Sequence, residues 1–168
     1  QPLCNDFVPA DEANRPQMFY PLCLYYCPQC SLVQLDHILP TDRTFGDQYT
    51  YLTGSSKTLV EYYSRLASTL VSRYGLLPGD AVIEIGSNDG TFLKAFQALG
   101  LFGLGIEGAK QPAALALESG VPTLGRFFGK GISEAVKDQL PENSRIRLVF
   151  AMNVLAHTDN INEFLPEV

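Results

Sequence analysis

Carboxylates and glycines are concentrated in one stretch of the chain, which has the sequence AVIEIGSNDGT at positions 81–91. Glu84 lies in a run of apolar β-forming residues, and Gly86 and Gly90 enclose a short polar segment. The residues that follow, FLKAF, have helical spacing. The stretch therefore predicts a buried strand, a tight turn and a helix. In α/β proteins, cofactors with a nucleoside part bind at turns of this kind.

The composition of this turn favours a cationic cofactor over a dinucleotide. A pyrophosphate requires the pattern G-x-G-x-x-G, but Asn88 occupies the position of the second glycine, and Glu84 and Asp89 would repel phosphates. S-adenosylmethionine has no phosphate, and carboxylates attract its sulfonium and ammonium groups. We therefore expect S-adenosylmethionine. The alternatives are a dinucleotide and a tight turn that binds no ligand.

Polar residues also follow two other predicted strands. Glu107 lies 23 positions after Glu84, close to the separation of about 20 at which an acid binds ribose hydroxyls in doubly wound folds. Asn153 and His157 follow the last strand. A lone histidine is more often structural than catalytic, and the position of His157 after a strand end is what makes it a catalytic candidate. Ligands of parallel sheets bind beyond the carboxyl ends of the strands. The candidate cofactor-binding residues are therefore Glu84, Gly86, Asn88, Asp89, Gly90, Glu107 and Asn153, with His157 as a catalytic candidate.

Alternating strands and helices would position these residues. Strands are predicted near 81–85, 101–107, 121–124 and 146–152, and helices near 90–99, 112–120 and 132–140. This alternation is typical of an α/β fold with a parallel sheet and helices on both faces. A preceding helix at 58–74, capped by Ser55 or Ser56 and ended by Gly75, would connect this domain to a smaller module. We therefore divide the chain into a module at 1–55, a connecting helix at 56–75 and a cofactor domain at 76–168.

The N-terminal module contains all four cysteines and little periodic pattern. Cys27 and Cys30 form a C-x-x-C knuckle, whose spacing lets two thiolates bind one zinc ion. Strands are expected on either side, near 19–26 and 31–35, while Cys4 and Cys23 are expected to pack as small apolar residues. A redox pair and two unremarkable thiols are the alternatives for the knuckle.

Two tyrosines lie between the module and the connecting helix, in the sequence FGDQYTYLTGSS. The phenols of Tyr49 and Tyr51 could hydrogen-bond a sugar or transfer a proton. For a single tyrosine, packing against the neighbouring domain is the simpler interpretation.

The overall composition points to a small-molecule partner. A net charge of −6 with only 12 scattered Lys and Arg residues argues against a nucleic-acid surface. The 168-residue chain has no apolar run of the roughly 18 residues that a membrane span requires, and no secretion signal. We therefore expect no membrane partner, a cytoplasmic location and, by default, a monomer.

The order of these motifs resembles one enzyme family. The segment EIGSNDGT at 84–91 resembles motif I of class I methyltransferases. The C-P-x-C knuckle followed by LVQL, the Y-x-Y-L-x-G-x-S loop, VPT at 121–123, FFG at 127–129 and NVLAH at 153–157 are similar to the zinc-containing sugar C-methyltransferases of antibiotic deoxysugar pathways. The resemblance covers nearly the whole chain.

This resemblance implies a function and roles for particular residues. Members of the family have a zinc module, a Rossmann-like cofactor domain and a C-terminal domain. They methylate a nucleotide-linked 4-keto deoxysugar at C3, through an enolate and with S-adenosylmethionine. The alternatives for this chain are a class I methyltransferase with a different small-molecule acceptor and a non-catalytic binding module. The resemblance implies catalytic roles for His157 and for Tyr49 or Tyr51, and cofactor contacts for Phe128 and Asn153. The family's upstream C-x-x-C and downstream His–Glu pair are absent, so we expect a piece of a longer protein with half a zinc site.

Overall fold

The computed structural model describes residue 3 and residues 7–46, 48–158 and 160–168. After a 3-10 turn at Ala10–Glu12, strands β1 (Leu24–Tyr26) and β2 (Val33–Leu35) form an antiparallel ribbon. Both strands are shorter than predicted. Strand β1 begins after Pro21, which lacks the N–H group that a ladder requires. A short helix, α1 (Thr41–Thr44), follows the ribbon.

Helix α2 (Lys57–Tyr74) connects the ribbon and the loop after it to the larger sheet. The Ser56 hydroxyl caps its first turn by accepting a hydrogen bond from the Leu59 N–H, at 3.3 Å. Gly75 ends the helix in the left-handed conformation, with φ 59°, which glycine adopts at little cost. The predicted start, cap and stop of this helix are confirmed.

The larger sheet contains four parallel strands, in the order β5-β4-β3-β6. This is the order of the first four strands of a doubly wound, Rossmann-type sheet. The prediction of an α/β fold with a parallel sheet is therefore confirmed. The elements of this part are β3 (Ala81–Ile85), α3 (Thr91–Gln97), β4 (Phe102–Ile106), α4 (Lys110–Glu118), β5 (Thr123–Leu124), α5 (Ile132–Lys137), β6 (Ile146–Ala151) and α6 (Ile161–Phe164).

Several of these elements are shorter than the sequence pattern predicts. Strand β5 has only two residues, because its ladder to β4 contains two residue pairs, Gly105–Thr123 and Ile106–Leu124. Helix α5 ends at Lys137 rather than near Leu140. Strand β5 lies at the edge of the sheet, beside β4.

Apolar side chains cover the sheet on both faces, as predicted. On one face, Val82 packs with Tyr63 of α2 and Phe92 of α3, and the two rings stack with centroids 4.3 Å apart. On the other face, Ile83 and Ile85 pack with residues of α5 and α6. Strand β3 is buried along its whole length, so the turn that follows it has a rigid base.

Among the described residues, no helix combines the length and the apolar character needed to cross a membrane. Short 3-10 helices at Thr53–Ser55, Leu155–His157 and Leu165–Glu167 complete the secondary structure of the described chain.

Candidate functional site

A cavity of about 640 Å³ lies at the carboxyl ends of β3, β4 and β6. Its size is within the range of about 300–1,000 Å³ that is common for small-molecule sites. Most of the candidate residues line it, namely Tyr49, Tyr51, Glu84, Gly86, Asn88, Glu107, Phe128, Asn153 and His157. Asp89 and Gly90 are not among its lining residues. The sheet thus brings together side chains that are far apart in the sequence, as the strand-end rule predicts.

Glu84 places a carboxyl group in this cavity with unmet hydrogen-bonding capacity. The residue is only 4% exposed, and its Oε2 atom has no hydrogen-bond partner within the described chain. Burial raises the pKa of Glu84 well above its ordinary value, and the nearby charges of Glu107 and Asp89 raise it further. A cationic ligand would supply the missing partner for this carboxylate.

Glu107 is held by the backbone around it. Its Oε2 atom accepts a hydrogen bond from the Asn88 N–H at 2.8 Å, and its Oε1 atom accepts one from the Ala109 N–H at 2.7 Å. Burial raises the pKa of Glu107, whereas these backbone N–H groups and that of Gly108 lower it. The carboxylate is therefore fixed in orientation at the end of β4, where an acid can accept hydrogen bonds from ribose hydroxyls.

The turn between β3 and α3 combines a close backbone approach with left-handed residues. Gly86 has φ 68°, and Gly90 has φ 74°. A Cβ atom at Gly86 would lie about 2.5 Å from a methyl group of Val154, and one at Gly90 would lie 2.9–3.1 Å from the side chain of Val121. Glycine is therefore required twice here, for backbone conformation and for space. Gly90 supports the turn from behind the cavity.

The side chains of Asn88 and Asp89 both form hydrogen bonds to the tyrosine loop, which we define as residues 48–56. Asn88 Oδ1 accepts from the Thr53 N–H at 2.8 Å, and Asn88 Nδ2 donates to the Tyr51 carbonyl at 2.9 Å. Asp89 Oδ2 accepts from the Gly54 N–H at 2.8 Å. These bonds hold the loop over the turn.

Aromatic rings form a further part of the cavity lining. The ring of Phe45 contacts those of Tyr49 and His157 edge-on, with centroids 5.3 Å apart in both pairs. The rings of Tyr49 and Tyr51 follow at 6.4 Å. His157 lies at the end of a 3-10 turn, is exposed and lines the cavity.

Sequence reasoning missed several lining residues. Phe45 contacts His157, and the buried Ser87 hydroxyl has no hydrogen-bond partner in the described part of the chain. Tyr63 also lines the cavity, although its helical spacing indicates packing only. Phe45 could have been found from its position four residues before Tyr49. The sequence carries no comparable signal for Ser87 or Tyr63.

The knuckle has the geometry of half a metal site. The backbone N–H groups of Cys30 and Gln29 lower the pKa of the Cys27 thiol by hydrogen bonding to it, and the chain turns back through a Cys27 N–H to Leu32 carbonyl bond of 2.9 Å. Cys27 and Cys30 thus fit two of the four ligands of a structural zinc ion.

The remaining ligands are not found in the described part of the chain, where no three His, Cys, Asp or Glu residues come together around a metal position. Cys4 lies outside the described residues. Cys23 is exposed, so the expectation that it packs as a small apolar residue is wrong. Both strands of the ribbon are exposed along their length, and no second layer of described residues covers them.

Comparisons with known proteins agree with this arrangement. Residues 1–45 match the Methyltransf_13 family, whose description is a zinc binding domain. The chain is 29% identical over 167 residues to the C-methyltransferase NovU of Streptomyces niveus. These matches support a zinc-containing C-methyltransferase family. The resemblance drawn from the order of the motifs is confirmed at this level.

The likeness to known proteins covers only part of their length. The alignment with NovU covers 99% of this chain but only 39% of NovU, so the chain spans about two fifths of the length of that relative. Among solved structures, the plantazolicin methyltransferase BpumL in complex with SAH matches with a TM-score of 0.42 and 12% identity, over 62% of this chain and 40% of that chain. That likeness is too low to carry an argument.

Proposed function

We propose that the protein is an S-adenosylmethionine-dependent C-methyltransferase, and that its acceptor is a nucleotide-linked 4-keto deoxysugar methylated at C3. The observation that carries the proposal is the pair of buried carboxyl groups, Glu84 and Glu107, at adjacent strand ends in a cavity lined by aromatic rings. The similarity to NovU, a C-methyltransferase, supports the same class of reaction.

The residues of the cavity fit this cofactor. The unpartnered oxygen of Glu84 is buried, so a positive group of the cofactor would be favoured there. The Glu107 carboxylate is oriented by two backbone N–H groups and retains lone pairs for ribose hydroxyls. When bound, S-adenosylmethionine supplies an electrophilic methyl group.

The acceptor would bind on the aromatic side of the cavity. The 4-ketone of the sugar acidifies the proton on C3, and a base that takes up this proton leaves an enolate. The enolate carbon would form the new bond to the methyl group as the methyl–sulfur bond breaks, and the electron pair of that bond would stay on the sulfur of the departing thioether. His157 and the phenols of Tyr49 and Tyr51 lie on this side and are the groups proposed to position the ketone and to move the proton. The rings of Phe45 and Phe128 would exclude water from the reacting carbon.

The N-terminal ribbon would bind zinc through Cys27 and Cys30, together with two ligands from elsewhere. The match of residues 1–45 to a zinc binding domain supports a structural role for the ion. Zinc would fix the knuckle that precedes β2, and thereby the segment that leads to the tyrosine loop.

A labelled-methyl assay tests this proposal. The protein is incubated with methyl-labelled S-adenosylmethionine and a nucleotide-linked 4-keto deoxysugar, and the product is analysed by NMR. We expect the label on C3, and exchange of the C3 proton for deuterium in D2O even without the cofactor. The matched control is the same sugar reduced to the 4-alcohol, which cannot enolise. Label on oxygen, or equal methylation of the alcohol, would contradict the enolate route.

A further inference from the structure

Two parts of the site that are distant in sequence are joined directly by side chains. The turn residues Asn88 and Asp89 form three hydrogen bonds of 2.8–2.9 Å with the backbone of Tyr51, Thr53 and Gly54. The partners are 35–37 positions apart in the chain. We call these three bonds the clasp.

The local geometry explains why these two side chains can form the clasp. Asn88 has φ 51°, a left-handed conformation that asparagine tolerates better than most residues. Asp89 is held in place because its Oδ1 atom accepts from the N–H and the hydroxyl of Thr91, at 3.2 and 2.6 Å. Its Oδ2 atom is therefore fixed in the direction of Gly54.

Gly54 shows that the fit between loop and turn is tight. A Cβ atom at this position would lie 2.7 Å from the Thr91 hydroxyl and 2.9 Å from Asp89 Oδ2. The loop backbone thus reaches the turn only because residue 54 has no side chain.

The clasp also connects the two halves of the cavity. The backbone N–H of Asn88 donates to Glu107, while the side chain of Asn88 is bonded to Tyr51 and Thr53. A ligand that bonds to Glu107 would therefore contact a carboxylate that is itself bonded to the residue holding the tyrosine loop. The Asn88 side chain bonds the loop, whereas Asp89 divides its two oxygens between the loop and Thr91.

We propose that Asn88 and Asp89 are positioning residues, which hold the tyrosine loop over the turn and so couple acceptor binding to cofactor binding. The identity of the two ligands rests on the proposed function, whereas the clasp itself does not. The consequence is that loss of the clasp impairs the acceptor side of the site more than the cofactor side.

Hydrogen exchange of the ligand-free protein tests the clasp without any assumption about function. In Asn88→Gly the backbone can keep its left-handed conformation, but two of the three bonds are lost. We expect the Thr53 amide, and with it the Gly54 amide, to exchange about tenfold faster than in the wild type. The matched control is Asn143→Gly, since Asn143 is also left-handed, with φ 65°, and lies in the turn before β6.

The exchange rates show whether the clasp holds the tyrosine loop on the turn. Faster exchange confined to the tyrosine loop in Asn88→Gly, and absent in Asn143→Gly, supports the clasp. Unchanged exchange at Thr53 and Gly54 in the variant overturns it. If Asn88→Gly does not fold, Asn88→Asp keeps an acceptor for Thr53 and removes only the donor to the Tyr51 carbonyl. An intermediate rate is then expected, and a wild-type rate overturns the proposal.

Binding and kinetics test the coupling. We expect Asn88→Gly to raise the KM for the keto sugar, or to lower kcat, by about tenfold, with less than about a threefold change in the Kd for S-adenosylmethionine. An equal loss of cofactor affinity would assign Asn88 to the cofactor and overturn the positioning role. If no methyl transfer occurs even in the wild type, the proposed function fails, and the exchange data still decide whether the clasp exists.

Discussion

The buried carboxyl group of Glu84 should make the ligand-free protein less stable as the pH rises. The residue is 4% exposed, and one of its oxygens has no partner in the described chain. Its pKa in the folded protein is well above the ordinary value of 4.5, first because of burial and then because of Glu107 and Asp89. Between the unfolded and the folded pKa, the folded state therefore binds more protons at this group than the unfolded chain does.

The sign and the size of the effect follow from this difference. The stabilisation is fully present below the unfolded pKa, and it is lost as the pH rises through the folded pKa. Between the two values the free energy of unfolding falls by up to about 1.4 kcal/mol for each pH unit. Glu107, whose pKa is also raised, contributes with the same sign.

Substitution Glu84→Gln isolates this contribution, because glutamine has the same shape and does not titrate. Urea unfolding of the ligand-free wild type and variant is measured from pH 5 to pH 8.5. We expect the wild type to lose stability relative to Glu84→Gln as the pH rises. Burying the glutamine amide has a cost that does not depend on pH. This cost shifts the difference in unfolding free energy between the two proteins by a constant and leaves its pH slope unchanged. Glu118→Gln, at an exposed position, is the matched control and should keep the wild-type slope. Parallel curves of unfolding free energy against pH for wild type and Glu84→Gln would show that folding does not raise the pKa of Glu84.

Three further predictions concern other parts of the site. His157→Gln and Tyr51→Phe should each lower methyl transfer by about 10²–10⁴-fold with little change in the Kd for S-adenosylmethionine, and an unchanged rate would remove the proposed role of that residue. Gly86→Ala should cost about 1–3 kcal/mol of stability in urea unfolding, because φ is 68° and the methyl group of Val154 occupies the space; a neutral effect would show that the turn rearranges freely. Cys27→Ser should lower the zinc content found by metal analysis, and full retention of zinc would exclude this thiol as a ligand.

The sequence predicts the elements whose limits are set locally. Helix α2 begins after Ser56 and ends before Gly75. A hydroxyl cap and a left-handed glycine each end a helix through contacts within one turn of the chain, so both ends can be predicted locally. The apolar run of β3 predicts a fully buried strand. By contrast, the extent of β5 depends on how far it pairs with β4, and no pattern within residues 121–124 contains that information.

The same distinction holds for the site. Ligands of parallel sheets bind beyond the carboxyl ends of the strands, so the predicted strands bring Glu84, Glu107 and His157 to one site. All three line one cavity in the structure. The predicted strands do not show that Asp89 bonds the backbone of Gly54, because that contact joins positions 35 residues apart and leaves no periodic trace. The acidic turn suggests a direct contact with a cation for each of its carboxylates. The structure instead gives the Asp89 side chain partners in the loop and in α3.

Titration calorimetry with S-adenosylmethionine and with NAD tests the central claim most directly. We expect one-to-one binding of S-adenosylmethionine, weakened about tenfold in Glu107→Gln because hydrogen bonds to a charged group are lost, and no binding of NAD. Binding of NAD without binding of S-adenosylmethionine would contradict the proposal that this acidic turn accommodates a sulfonium cofactor.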